Sequence, residues 1–235
     1  MTTDTEEITT RTSRFAPVRR IAGRNRTKAD IVVYSEAGET IAVKDYSPRP
    51  WWIRNTLGRV LVRREVAAYR HVEGLTGIPR FAGRRGPFAL ATGWLDARPL
   101  ATFADGSVPA SRFDRLTEIL ASLHDRGVAV ADLNYRDVLL ADDGSVYVID
   151  LAAAWTLGRR PGRLRRKLFE RLRAADLFAL ARLRARFSGE DADAVVAATD
   201  DEVLAWHRRA RRIKWCWDRL RRAERLPPVN DHWRF

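Results

Sequence analysis

Three acidic residues occupy fixed places around one short hairpin of the 235-residue chain. Asp132 precedes the hairpin, Asp137 lies at its entrance and Asp150 at its exit, and its two apolar runs are Val138–Leu140 and Val146–Ile149. One carboxylate in this arrangement can orient an attacking hydroxyl, and the other two can supply the oxygen ligands that Mg²⁺ prefers. The spacing indicates phosphoryl-transfer chemistry. In the alternative interpretation, Asp132 and Asp137 are ordinary acidic residues of turns and Asp150 caps a helix.

The order of the three acids matches known phosphotransferase motifs. Asp137 follows Asp132 by five residues, with a Leu directly after Asp132, which is the spacing of the catalytic loop D-L-x-x-x-N in protein kinases. Asp150 follows the run V-Y-V-I, as the metal-binding Asp of the D-F-G motif follows a strand. The joint occurrence of these features favours the catalytic interpretation.

A lysine in the first quarter of the chain is the next candidate. Lys44 ends the sequence I-A-V-K on a predicted strand, Thr40–Tyr46, and this sequence resembles the V-A-I-K strand whose Lys contacts nucleotide phosphates. A helix is predicted over Arg59–Val72, and its Glu65 is the best ion-pair partner for Lys44. The alternatives are a solvated Lys44 and an exposed Glu65 paired with a neighbouring Arg on its own helix.

Bulk composition narrows the class of protein and partner. The net charge is +13 and the pI is about 10.9, so phosphates, nucleotides, anionic lipid or nucleic acid are expected partners. The single cysteine, Cys216, excludes an internal disulfide and fits a reducing cytosol. No apolar run approaches the roughly 20 residues that span a bilayer, and the N-terminus lacks the apolar core of a secretory signal.

The elements divide the chain into two lobes between two tails. We expect a disordered tail over 1–14, a small lobe of five strands and one helix over 15–97, a helical lobe over 98–225 with the catalytic hairpin at 127–152, and an extended tail over 226–235.

Several local features carry further expectations. Trp51 and Trp52 are expected to pack under the small lobe, with an exposed patch as the alternative, and Ser111 is the expected N-cap of a helix that ends at Asp125. An Arg-rich helix is predicted to begin near Arg163, and another helix follows the capping box Thr199–Glu202. The Arg-rich helix is expected to form a solvated face, or else to hold an acidic acceptor or a membrane surface. The interleaved Trp and Arg of the last helix suit a membrane interface or a nucleic acid, although a buried Trp stripe in the large lobe is the commoner outcome.

The residues around the hairpin carry a family resemblance. A-D-L-N followed by V-L-L and V-Y-V-I-D resembles the protein-kinase-like superfamily and, more narrowly, the bacterial lipopolysaccharide-core kinases that phosphorylate Kdo or heptose. The resemblance covers roughly residues 31–186 and is most specific over 124–150. It implies an α+β, two-lobed protein-kinase-like fold with a small antiparallel-sheet N-lobe and a mostly helical C-lobe. It also implies ATP and Mg²⁺ as cofactors and a sugar hydroxyl of a glycolipid, or a related small molecule, as acceptor.

The same resemblance assigns a role to each candidate by its matching position. Lys44 would contact the nucleotide phosphates and Glu65 would hold Lys44 in place. Asp132 would orient the acceptor hydroxyl, and Asp137 and Asp150 would bind the metal. The expected location is the cytoplasm, at the inner face of the plasma membrane.

The chain departs from the family pattern at four places. Val130 stands where a His is usual, Asp137 replaces an Asn, D-F-G becomes Asp150-Leu151-Ala152, and the glycine-rich loop is reduced to Gly23–Thr27. Three hypotheses therefore remain: an active ATP-dependent kinase, a pseudokinase that binds nucleotide or an anionic partner as a scaffold, and a basic nucleic-acid-binding module. The first is favoured, and nucleic acid is the least expected partner.

Overall fold

The computed structural model describes residues 17–23, 27–36, 38–158 and 160–190. The predicted tails, the capping box with the helix after it, and positions 24–26 of the reduced glycine loop lie outside the described residues. Among the residues described, no helix is both long and apolar enough to cross a membrane.

The first part of the chain forms the predicted five-stranded antiparallel sheet, in the order β1-β2-β3-β5-β4. Lys44 lies on β3, in the middle of the sheet, where it pairs with Ile31 on one side and Leu90 on the other. The strands are β1 (Pro17–Ile21), β2 (Asp30–Glu36), β3 (Glu39–Asp45), β4 (Phe81–Arg84) and β5 (Ala89–Gly93).

A continuous helical stretch connects β3 to β4. It consists of α1 (Trp51–Ile53), a π-helical turn (Arg54–Gly58) and α2 (Arg59–His71), so the predicted helix is present and ends one residue early. The expected packing of the tryptophans is wrong: Trp51 is 72% and Trp52 57% exposed. Helical phase explains this, because Ile53 and Gly58 are the residues of this segment that are buried.

The second part of the chain is mainly helical. It contains α3 (Ala110–Asp125), α4 (Arg163–Ser188) and five short strands, of which β8 and β9 form the predicted hairpin. The expected N-cap at Ser111 is wrong, because α3 begins at Ala110 directly after Pro109, whose extended ψ of 140° sets the first turn. The short strands are β6 (Arg98–Pro99), β7 (Val128–Ala129), β8 (Val138–Leu140), β9 (Val146–Val148) and β10 (Trp155–Thr156).

One buried apolar cluster extends through both parts. Val62 and Leu90 belong to it from the sheet side, and Leu120, Val148 and Leu180 from the helical side. The sheet and the helices are thus fixed relative to each other by a shared core, which holds side chains from both parts at one place.

Two glycines in the loop before β4 have the same backbone conformation but different surroundings, so substitutions at them should differ in their effect on stability. Gly74 and Gly77 both have φ of +80°, but a Cβ at Gly77 would lie 2.3 Å from Cδ1 of the buried Ile119, whereas a Cβ at Gly74 would meet nothing within 4 Å. Gly74→Ala should cost about 1–2 kcal/mol of unfolding free energy from backbone strain alone. Gly77→Ala should cost about 1–3 kcal/mol more from overpacking, measured by urea denaturation. Equal losses in the two variants would contradict the packing argument.

Candidate active site

Three charged side chains from distant parts of the chain meet beside the middle strand of the sheet. The Lys44 ammonium donates to Glu65 Oε2 at 2.8 Å and Oε1 at 3.1 Å, and to Asp150 Oδ1 at 2.7 Å. Glu65 is 21 residues away along the chain and Asp150 is 106 residues away. The structure therefore joins the middle strand of the sheet, the helix beside it and the exit of the hairpin through one ammonium group.

The electrostatics of this cluster keep Lys44 charged. Burial by itself would lower the pKa of Lys44, but the carboxylates of Glu65 and Asp150 more than offset it, so the pKa lies above its ordinary value. Burial would likewise raise the pKa of Asp150, and the Lys44 ammonium instead holds it below its usual range. Glu65 is almost fully buried on α2, so the alternative interpretation, in which Glu65 is exposed and paired with an Arg on its own helix, is wrong.

Asp137 lies at the entrance of the hairpin and is tied to the exit. Its carbonyl accepts from the Ile149 N–H at 2.8 Å, next to Asp150, and its carboxylate accepts from the Asn134 amide. Burial, and then the carboxylates of Asp150 and Asp132, raise the pKa of Asp137 to about 7. Both of the other predicted acids thus act electrostatically on Asp137.

Asp150 and the loop before Asp132 have unusual backbone conformations. Asp150 has φ of 63° and Ala131 has φ of 66°, in the left-handed region that non-glycine residues rarely enter. Asp132, directly after Ala131, is exposed to solvent. A carboxylate in this position is accessible to an incoming acceptor molecule.

A buried carboxylate from α4 holds this loop. Asp176 accepts from the Val130 and Ala131 N–H groups, both at 2.8 Å, and its Oδ2 lies 3.0 Å from His124 Nε2. His124 thus packs at the end of α3 against this carboxylate, and Asp176 was not anticipated from the sequence. The available signal was its spacing: Asp176 is an acid on the same helix face as Phe169, Leu180 and Leu183, all of which are buried.

The donor set fits a magnesium ion shared with phosphates. In the described ranges, no group of three or more His, Cys, Asp or Glu side chains is arranged to hold a metal alone. Magnesium is usually bound by one or two carboxylates together with phosphate oxygens and water, so a protein cage is not required. Asp137 and Asp150 supply two such carboxylates, and their mutual repulsion is the kind that a divalent cation relieves.

Many solved structures, two of them of a Rio2 kinase, share the architecture of this chain, although no protein-family model and no curated protein sequence matches it. The Rio2 kinase from Chaetomium thermophilum superposes with a TM-score of 0.55 at 18% identity, over 74% of this chain and 57% of that one. Its ADP/Mg²⁺-phosphoaspartate complex gives 0.51 at 18% identity, over 73% and 55%.

These likenesses confirm the predicted fold class. The chain has an α+β, two-lobed protein-kinase-like fold, with an antiparallel sheet followed by a helical part. It spans a little over half the length of the two Rio2 chains. The narrower resemblance to lipopolysaccharide-core kinases has no counterpart in them and stays a prediction.

Asp176 should be required for stability because it satisfies two buried backbone donors. Asp176→Ala is expected to lower the free energy of unfolding by about 3 kcal/mol or more, since each orphaned N–H costs about 1–3 kcal/mol. Asp114→Ala is the control: Asp114 pairs with Arg184, both side chains are partly exposed, and the loss should be about 0–1 kcal/mol. Urea denaturation of both variants tests the difference, and a loss at Asp176 no larger than that at Asp114 would reject the role.

The raised pKa of Asp137 predicts that the stability of the protein without nucleotide and magnesium depends on pH. The folded protein holds the Asp137 proton more tightly than the unfolded chain does, because its pKa is raised to about 7. The free energy of unfolding should therefore fall as the pH rises from about 4 to about 7. Asp137→Asn should remove this loss and stabilise the protein by on the order of 2–4 kcal/mol at pH 8, with little gain at pH 4. Urea denaturation at the two pH values measures it, and a gain equal at both would contradict the titration.

Proposed function

We propose that this chain is an ATP- and Mg²⁺-dependent phosphotransferase that acts on an alcohol hydroxyl. The observation that carries the proposal is the Lys44 ammonium, which contacts Glu65 and Asp150 at 2.8 Å and 2.7 Å. Kinases use a lysine, held by a helix Glu, to contact nucleotide phosphates next to a metal-binding Asp. The Rio2 kinase fold, which has been crystallised with ADP/Mg²⁺, supports the same cofactors here.

Each side chain of the cluster has a role in positioning the nucleotide. Lys44 binds phosphate oxygens, and Glu65 on α2 holds the ammonium group in a fixed direction by accepting two hydrogen bonds from it. Asp137 and Asp150 hold Mg²⁺, which when bound neutralises charge on the phosphates. Because Asp137 binds metal only as a carboxylate and its pKa is raised to about 7, magnesium affinity rises with pH through neutrality.

Asp132 orients the acceptor. Its exposed carboxylate accepts a hydrogen bond from the incoming hydroxyl and directs that oxygen toward the phosphate. Asp176 keeps the preceding backbone rigid through Val130 and Ala131, so the carboxylate is already positioned when the acceptor arrives. Catalysis in this site rests on positioning and charge neutralisation.

The proposed acceptor is a sugar hydroxyl of an anionic glycolipid such as lipopolysaccharide core, or a related small molecule. Its support is the motif match over residues 124–150 and the net charge of +13, which attracts phosphorylated or carboxylated acceptors. The corresponding location is the cytoplasm, at the inner face of the plasma membrane.

A nucleotide-binding pseudokinase is the second candidate. Val130 favours it, because this residue is 2% exposed and its side chain carries no group that could replace the usual imidazole. A scaffold of this kind would keep the Lys44 cluster and bind nucleotide without transferring phosphate. Nucleic acid binding, which is suggested by net charge alone, is not proposed.

Asp132→Ala separates catalysis from nucleotide binding. The variant should lose about 10²–10⁴-fold of phosphate transfer from ATP to lipopolysaccharide core oligosaccharide, and should keep the wild-type thermal shift with ATP and Mg²⁺. Asp142→Ala is the matched control, since Asp142 is an exposed acid in the hairpin turn and should leave transfer unchanged.

The outcomes distinguish the candidates. Full turnover by Asp132→Ala would reject its role as the orienting base. Nucleotide-dependent stabilisation of the wild type without transfer to any acceptor hydroxyl would favour the pseudokinase, and no stabilisation by ATP and Mg²⁺ would reject both.

A further inference from the structure

The helical stretch α1–α2 exposes large apolar side chains at its start. Trp51, Trp52 and Val60 are 72%, 57% and 54% exposed, and they belong to the six exposed large apolar residues among those described. Two adjacent indoles in solvent are unusual for a monomeric protein surface and mark an interaction site.

These side chains share one side of the helix. Trp52, Thr56, Val60 and Arg64 recur every four residues, and all four are exposed. Val60 and Arg64 are neighbours at this spacing on α2, and the Thr56 hydroxyl of the π-helical turn donates to the Trp52 carbonyl. The stretch from residue 51 to residue 71 is about 30 Å long. We call the exposed side of residues 51–71 the α1–α2 outer face.

The charge of the outer face has one sign. Its exposed ionisable residues include Arg59, Arg63, Arg64 and Arg70, whereas the single acid of the stretch, Glu65, is buried on the opposite side against Lys44. Arg63 and Arg70, three and ten residues after Val60, lie on the same exposed side of α2 as Val60. The face therefore combines indole rings, an aliphatic side chain and an excess of guanidinium groups.

The Arg-rich start of α4 adjoins this face. The Arg64 guanidinium donates to the Ala153 and Ala154 carbonyls at 3.3 Å and 3.4 Å, and the Arg165 guanidinium donates to the Thr156 carbonyl at 2.7 Å. Four consecutive residues, 153–156, thus separate the two basic helices. Leu164, in the first turn of α4, is 83% exposed and adds a second apolar contact.

We propose that the α1–α2 outer face, with the first turn of α4, docks on the surface of an anionic lipid bilayer. Indole rings settle at the headgroup level of a bilayer, and guanidinium groups there bind anionic headgroups. The aliphatic Val60 and Leu164 favour lipid over nucleic acid, because bases stack on aromatic rings but gain little from aliphatic side chains. Charge complementarity favours acidic lipid, since the outer face has no exposed acid to repel it.

This docking surface does not depend on phosphoryl transfer. Glu65, which holds Lys44, lies on the buried side of the same helix whose exposed side meets the bilayer. A bound membrane would therefore lie about one helix diameter, roughly 10 Å, from the Glu65–Lys44 pair.

The test is co-sedimentation of the full chain with vesicles at 0.15 M salt. Wild-type protein should bind vesicles of phosphatidylcholine with 30% phosphatidylglycerol and not vesicles of phosphatidylcholine alone. Trp51→Ala/Trp52→Ala should lower the partition coefficient by about tenfold or more. Arg63→Gln/Arg70→Gln should lower it by about fivefold for each charge removed.

Val18→Ser is the matched control for Val60→Ser. Both valines are more than half exposed, but Val18 lies on β1, away from the outer face, so only Val60→Ser should weaken binding. Thermal unfolding with and without ATP and Mg²⁺ shows whether each variant is folded and binds nucleotide, so a failure of the membrane proposal is distinct from a failure of the proposed function.

Any of four results would overturn the proposal. The first three are equal vesicle binding by wild type and the tryptophan variant, no binding of wild type to the acidic vesicles, and a wild-type dimer without vesicles that the tryptophan variant converts to monomer. The third result would assign the face to self-association. Displacement of the protein from acidic vesicles by a single-stranded oligonucleotide, with loss of oligonucleotide binding in the tryptophan variant, would assign it to nucleic acid.

Discussion

A buried ammonium must be compensated by nearby carboxylates, and this requirement links the parts of the protein that are most distant in sequence. Lys44 is removed from water in the middle of the sheet, where an unpaired charge would be too costly to bury. Glu65 approaches it from the neighbouring helix and Asp150 from the far end of the hairpin. The same ion pairs therefore hold α2 against the sheet and the sheet against the helical part.

A second buried charge performs the corresponding task for the loop before Asp132. Asp176 replaces water for two backbone N–H groups that would otherwise have no partner in this irregular segment. It does so from the middle of a 26-residue helix packed on α3, which gives the carboxylate a rigid support. One cluster thus fixes the Lys44 ammonium between two parts of the chain, and the other fixes the backbone directly before Asp132.

The sequence predicted the features that depend on local spacing. Three of these features each lie within a short stretch of sequence, so they can be recognised without tertiary information. They are I-A-V-K, the five-residue interval from Asp132 to Asp137, and the hairpin before Asp150. Asp176 was missed because its partners, Val130 and Ala131, lie more than forty residues away. The exposure of Trp51 and Trp52 was also missed, since a π-helical turn after them changes the phase of the helix and no composition rule reveals it.

The left-handed conformation of Ala131 has a consequence for engineering this protein. An alanine with φ of 66° is strained by about 1–2 kcal/mol, and a glycine would adopt the same conformation freely. A search for thermostable variants would consequently tend to select glycine at this position. The same change would let the segment sample many other shapes, so the gain in melting temperature would come with less precise placement of the Asp132 carboxylate, which is the usual trade between stability and a preorganised site.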